Sequence, residues 1–228
     1  NILTEDANYT IEIKPDFFED PAAHDVFHAF EHGGEATLTQ DIEIEHPLVV
    51  KAGVKAVLNL NGHNITTTEQ NAGRHHYAMN NYGELTLVGE GAINARGIQN
   101  FGTMVVDGDL TITNIDTNGG AAIWNEGKIT INKGTFATNN TAGEGSYGAA
   151  LNTRAGGEAV VNGGNFNAYS QLTYAIINEG TTTINNAVVK AKHGAVAGSS
   201  SCAGSCRPVL QWEMPFRVIF LLRFRLTM

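Results

Sequence analysis

The chain has almost no cysteine. Only Cys202 and Cys206 occur in 228 residues, and both lie beyond position 200. No disulfide framework can therefore hold the fold, and two sulfurs cannot complete a four-ligand metal site. Charge is also sparse: 16% of residues are Asp, Glu, Lys or Arg. Asn, Thr and Gly stand where helical proteins carry Lys, Glu and Leu. The balance is acidic, with net charge −9, so nucleic acid is an unfavourable partner on electrostatic grounds. The longest apolar run, residues 209–226, is too short and too interrupted by Arg to span a bilayer. No segment between residues 34 and 195 has helical periodicity.

What remains is punctuation. Asn-x-Gly triplets recur at Asn81-Tyr82-Gly83, Asn100-Phe101-Gly102, Asn125-Glu126-Gly127 and Asn178-Glu179-Gly180, with a looser member at Asn152-Thr153-Arg154-Ala155-Gly156-Gly157. The successive asparagines are 19, 25, 27 and 26 residues apart. A second ladder of tight polar corners runs through Asn61-Gly62, Gly89-Glu90-Gly91, Asn132-Lys133-Gly134, Asn162-Gly163-Gly164 and Asn185-Asn186. Asn and Gly tolerate the left-handed backbone of such corners. Between corners lie short alternating stretches such as Leu110-Thr111-Ile112-Thr113 and Ile129-Thr130-Ile131, the pattern of strands with one buried face. Strands this short cannot each bury a face alone, but coiled and stacked they can. At about 4.8 Å per rung, roughly seven rungs give a rod about 33 Å long.

The spacing predicts three regions. Residues 1–33 are an N-terminal arm and capping helix, residues 34–198 the solenoid, and residues 199–228 a tail of different composition. Asp20-Pro21 reads as a helix start. Ala23, Val26, Phe27 and Phe30 form an apolar stripe, and Gly33-Gly34 ends the helix. This helix, at about 21–32, is expected to cover the open first rung, whose strand edges would otherwise pair with other chains. The tail holds four Arg and one Glu, net +3, which leaves −12 on residues 1–198. It reads as a cap, an attachment element that mediates assembly (a homotrimer being the candidate state), or a non-native extension.

The passage from Phe27 through Gly33-Gly34-Glu35-Ala36-Thr37-Leu38 to Leu58-Asn59-Leu60-Asn61-Gly62-His63-Asn64-Ile65 resembles the opening of right-handed parallel β-helix domains of the pectate-lyase-like superfamily. Similar openings occur in bacterial surface proteins and in phage spikes, fibres and head-attached proteins. The resemblance covers about residues 25–195. It implies an all-β, right-handed parallel β-helix. It does not imply one activity, because the superfamily includes lyases, hydrolases and proteins without catalysis. Its lyases use acidic Ca²⁺ ligands beside an Arg or Lys, and its glycosidases use paired Asp residues. The Asn-Thr-Asp, Asp-Asp and Gly-His-Gly signatures of the hydrolases do not occur here. Asp107-Gly108-Asp109 is a close Asp pair, but it reads as a turn.

Three sets of side chains are candidates for a site. Glu126, Arg154 and Glu179 fall at matching ladder positions and are expected to form a carboxylate–Arg–carboxylate stripe, either catalytic, sugar-binding or a plain salt-bridge ladder. Trp124, Tyr147 and Tyr169 can stack on sugar rings, although Trp124 and Phe101 also suit the inward core by parity. His24, His28 and His32 share one face of the predicted helix at metal-binding spacing, which equally fits the polar face of an amphipathic helix. His75 and His76 are expected to point to opposite faces of a strand. Nothing in the pattern requires a cofactor. The reading that follows is a non-catalytic structural or binding module displayed outside a cell or on a virion, adhesin-like or fibre-like, with carbohydrate or a partner subunit as ligand. The alternative is a polysaccharide lyase or glycoside hydrolase of the β-helix type.

Overall fold

In a computed structural model the chain coils as a right-handed parallel β-helix. The structure describes residues 21–67, 70–71, 74–140, 148–170, 173–192, 194–198 and 201–202. The N-terminal arm, Asp20, Tyr147 and all but two residues of the 199–228 tail lie outside the described residues.

One course of backbone repeats. A strand in a first sheet turns a corner into a second sheet, then into a third, then returns one rung higher. The fourth course, for example, is Thr103–Val106, Asp109–Asn114 and Ala121–Asn125. Seven complete courses run from Gly34–Thr37 to Gly194–Gly198, and Ser201–Cys202 begins another in the first sheet. The sheets hold eight, seven and seven strands, and every pairing within them is parallel. One short antiparallel hairpin, Gln70–Asn71 with Arg74–His75, projects from the second course.

The core is three internal columns. Leu58, Leu87, Val106, Ile131 and Val161 stack in the first sheet. Ile42, Ile65, Ile93, Ile112, Phe136 and Phe166 stack in the second. Leu48, Met79, Ile98, Ile123, Leu151 and Ile176 stack in the third. All are essentially solvent-free. Each buried Leu or Ile contributes roughly 1.5–3 kcal/mol, and the rings of Phe136 and Phe166 lie 5.0 Å apart and nearly parallel. Register locks because a one-residue slip would turn a whole column outward.

The helix forms where the sequence predicts it, over Pro21–His32. Ala23, Val26, Ala29 and Phe30 are buried against the Gly34–Thr37, Leu48–Val50 and Lys55–Asn59 strands, so the helix covers the first rung. Gly33 stops it at φ 92°, its N–H donating to the Ala29 carbonyl at 2.8 Å.

The corners carry the polar ladders. At the corner from third to first sheet, Asn81, Asn100 and Asn125 point inward with no exposure. Asn81 Nδ2 donates to Asn100 Oδ1, and Asn100 Nδ2 to Asn125 Oδ1, both at 2.7 Å. The looser member corrects the expectation by one residue. Thr153, not Asn152, stands over Asn125 and under Asn178. Asn152 instead pairs with outward Trp124, and the two residues by which the 154–157 corner exceeds Glu126-Gly127 follow the rung. At the next corner Asn162 Nδ2 donates to Asn132 Oδ1 at 3.0 Å and Asn185 Nδ2 to Asn162 Oδ1 at 2.8 Å, both exposed. Asp107-Gly108 is a turn as expected, and Asp109 lies 3.5 Å from Lys133.

Asp41 ties the first course to the second. The side-chain and backbone N–H groups of Asn64 reach its two carboxylate oxygens at 3.0 and 2.9 Å. These bonds, the side-chain one first, with His63 adding less, hold the Asp41 carboxyl below its ordinary range. A lowered pKa stabilises the folded chain above the ordinary Asp value of about 3.9, and that contribution disappears as pH falls through the lowered value. The Asp41 carboxyl resonance should therefore titrate below that of an unfolded Asp by NMR. Asp41→Ala should flatten the fall of urea midpoint in this pH window; parallel acid limbs in both proteins would refute it.

Candidate functional site

The third sheet's outer surface concentrates side chains that a buried-face pattern does not explain. Alternation puts Ile123 and Asn125 inside, so Trp124 between them faces out. This corrects the core placement suggested for Trp124 by parity. Its neighbours in the outward column are Asn80 and Gln99 on the preceding courses and Asn152 and Ile177 on the following ones. Phe101 is not in the core either. It lies at the corner, half-buried, its ring parallel to that of exposed Tyr82 at 4.9 Å.

Tyr82, Phe101, Glu126, Arg154 and Glu179 each follow a residue of the inward Asn/Thr column. Their N–H groups donate to the course below, Arg154 to the Asn125 carbonyl at 2.8 Å and Glu179 to that of Thr153 at 2.7 Å. The expected alignment of Glu126, Arg154 and Glu179 is thus present, and Trp124 joins it. Trp124 Nε1 donates to Glu126 Oε1 at 2.8 Å. The Arg154 guanidinium lies 4.7 Å from the centre of the indole and bonds Glu179 Oε2 at 2.7 Å. Cation–π contact and hydrogen bond together fix the indole plane.

Arg154 stands between the two carboxylates of this stripe. Glu126 and Glu179 sit two rungs apart, so their backbones are separated by about 10 Å. Carboxyl groups stand roughly 5–5.5 Å apart in a retaining pair and about 6.5–9.5 Å in an inverting pair. Arg154 occupies the interval, and each carboxylate is already engaged by a fixed donor.

Beside this cluster, at the corner from second to third sheet, the hairpin strand Arg74–His75 borders an open cleft of about 290 Å³. Arg74, His75, His76, Tyr77, Asn80 and Arg96 line it. His75 and His76 thus share one cavity, rather than opposite strand faces, because the strand ends at His75. Buried Asp116 anchors the hairpin: its carboxylate accepts from the His75 N–H at 3.0 Å and the Asn118 N–H at 3.1 Å, and stands 4.0 Å from Arg96 Nε. The Arg96 guanidinium lies over the Tyr77 ring at 5.1 Å. Burial pushes the Tyr77 hydroxyl's pKa up, Arg96 opposes this, and the charge of Glu126 reaches it. Gln99, which also lines the cleft, is the neighbour of Trp124 on the adjacent course, so the cleft and the Trp124 cluster adjoin on the third sheet.

Other candidates do not join them. Tyr169 is 56% exposed, at the edge of the third sheet opposite the Glu126 corner. His24, His28 and His32 line one exposed helix face, ring centres 6.5 and 5.0 Å apart. Among the described residues no three His, Cys, Asp or Glu side chains are arranged to hold a metal, and no helix is long and apolar enough to cross a membrane. The cleft is the feature that sequence reasoning missed. Its signal was spacing: Met79 lies fourteen positions after Ile65, where their partners Ile93 and Ile98 are five positions apart.

Comparison with protein-family models, curated proteins and solved structures found no match to this chain.

Proposed function

We propose that the protein is a non-catalytic β-helix module that binds a carbohydrate chain along the outer face of its third sheet. The observation that carries this is the fixed indole of Trp124, set outside the barrel beside half-buried Asn80 and Gln99 and braced by Glu126 and Arg154. A rigid aromatic platform stacks on pyranose faces, and neighbouring amides and charged groups bond the hydroxyls. The likeness of residues 25–195 to pectate-lyase-like β-helices, with no assembled hydrolytic pair among the described residues, supports display on a cell or virion surface.

A glycan array probed with the wild-type chain and with Trp124→Ala tests the reading. Stacking is worth about 0.5–1.5 kcal/mol beyond area burial, so the variant should lose roughly tenfold or more in affinity while its circular dichroism is unchanged. Unaltered binding would sink the proposed face. Release of reducing ends from any bound glycan, abolished in Glu126→Gln or Glu179→Gln, would show a hydrolase instead.

A further inference from the structure

We propose that the outer face of the first sheet is a contact surface for a second copy of this chain, packed antiparallel about a two-fold axis that runs along the Thr103–Val106 strand. This face is not the one that carries Trp124, which lies on the third sheet.

Alternation along the strands of the first sheet turns every second residue outward. Parallel pairing then stacks these residues into columns. One column reads Lys55, Glu84, Thr103, Lys128 and Glu158 on five successive courses. The next column, two residues further along each strand, reads Val57, Thr86, Val105, Thr130 and Val160. Both are ordered about the Thr103–Val106 strand. Read in reverse, the second column keeps its sequence of residue types. The first column, reversed, exchanges each charge for its opposite. A two-fold axis along the central strand therefore sets Lys55 against Glu158 of the second copy and Glu84 against its Lys128. Thr103 and Val105 meet their own copies near the axis. A closed two-fold contact requires this self-complementarity. The parallel arrangement, with the axis along the solenoid, faces Lys55 and Glu84 with the other strand ends, Asn59 and Val88, and pairs no opposite charges there.

The surface suits a partner of its own chemistry. Lys55 Nζ lies 2.8 Å from Glu84 Oε2, and Lys128 Nζ lies 3.1 Å from Glu158 Oε2. The column is thus neutral although the chain carries net charge −9, and self-association meets least repulsion on such a strip. Two ion pairs that meet with opposite polarity form a four-charge cluster on either side of the axis. Exposed pairs of this kind fix alignment more than they add affinity. The Val and Thr column beside them supplies flat apolar contact. Val57 and Val105 are half-buried, and Val160 is 38% exposed. Asp107, exposed on the following corner, meets its own copy at the rim, where solvent and salt screen the repulsion. Seven courses at about 4.8 Å, with strands about five residues long, give a face of roughly 33 by 17 Å, so the contact buries about 1,100 Å² over both copies. Stable complexes bury about 1,200–2,000 Å², and a face just below that range matches a weak, reversible dimer.

Sedimentation equilibrium of the full chain between about 10 µM and 1 mM, with Glu84→Lys and Lys128→Glu as variants, tests the proposal. The wild-type mass should rise from monomer toward dimer over this range. Each variant alone should weaken the dimer at least about tenfold, because two like-charge contacts replace two opposite ones. An equimolar mixture of the two variants should restore it. There the introduced charges face each other across the axis, and the unchanged Lys128 of one chain faces the unchanged Glu84 of the other. Both substituted side chains are exposed, so circular dichroism should match the wild type. A monomer at every concentration overturns the proposal. An oligomer that both single variants leave unmoved also overturns it, by placing assembly on another surface. A dimer that the mixture fails to restore excludes the antiparallel alignment and overturns it equally.

Discussion

Asn100→Ala is expected to lower the unfolding free energy by about 3–5 kcal/mol. Asn100 is fully buried at the middle of the inward ladder. Its Nδ2 donates to Asn125 Oδ1 at 2.7 Å and to the Lys128 carbonyl at 3.0 Å, and its Oδ1 accepts from Asn81 Nδ2 at 2.7 Å. Alanine strands a donor below, two acceptors above, and a cavity between them. Water cannot repair this inside a barrel without displacing the neighbouring courses. The matched control is Asn162→Ala on the exposed ladder, where the same amide-to-amide bonds, 3.0 Å to Asn132 and 2.8 Å from Asn185, face solvent. Water replaces them there, and the expected loss is under about 1 kcal/mol. Urea unfolding followed by circular dichroism separates the two. Equal losses at both positions would mean that burial does not set the worth of these ladders. The column itself shows the rule, because where Thr153 interrupts it, Thr182 Oγ1 lies 3.0 Å from Thr153 Oγ1 and 2.8 Å from Asn178 Oδ1.

The ladders made the architecture readable, because each Asn-Gly corner is both a local turn requirement and a long-range contact. Helix Pro21–His32 was readable for a similar reason: its stop signal and apolar stripe agree with the rung it covers. The alignment of Glu126, Arg154 and Glu179 followed from corner position alone, since the two added residues of the 154–157 corner fall after Arg154. Thr153 could not be placed, because a Thr holds the inward position there and the nearest Asn, Asn152, stands one residue before it. Trp124 was read both as core by parity and as a ligand-stacking ring, and the alternation set by Ile123 and Asn125 turns it outward. The Arg96 cleft was out of reach. It joins residues 74–80 to residues 96 and 99, and only the fold of the hairpin, tied down by Asp116 from 41 residues away, brings them together.

Gly127→Ala should be more damaging still per atom added, abolishing cooperative folding or costing about 3 kcal/mol or more. No left-handed backbone explains this glycine. What excludes a side chain is the course below: a Cβ would overlap the Gly102 carbonyl oxygen and lie 2.7 Å from the Phe101 carbonyl carbon. Both obstacles are backbone, held by the Gly127 N–H bond to the Asn100 carbonyl at 3.0 Å and the Lys128 N–H bond to that of Gly102 at 2.8 Å. The rung cannot retreat without breaking the inward Asn ladder, so the cost spreads to neighbouring courses. Gly156→Ala separates crowding from backbone strain. Gly156 has φ +86° and open space within 4 Å of where a Cβ would stand, so the penalty is the left-handed one alone, about 1–2 kcal/mol. If thermal unfolding ranked Gly156→Ala as the worse change, close approach between stacked corners would not be what limits this fold. The glycines of the Asn-x-Gly repeat would then need a conformational explanation instead.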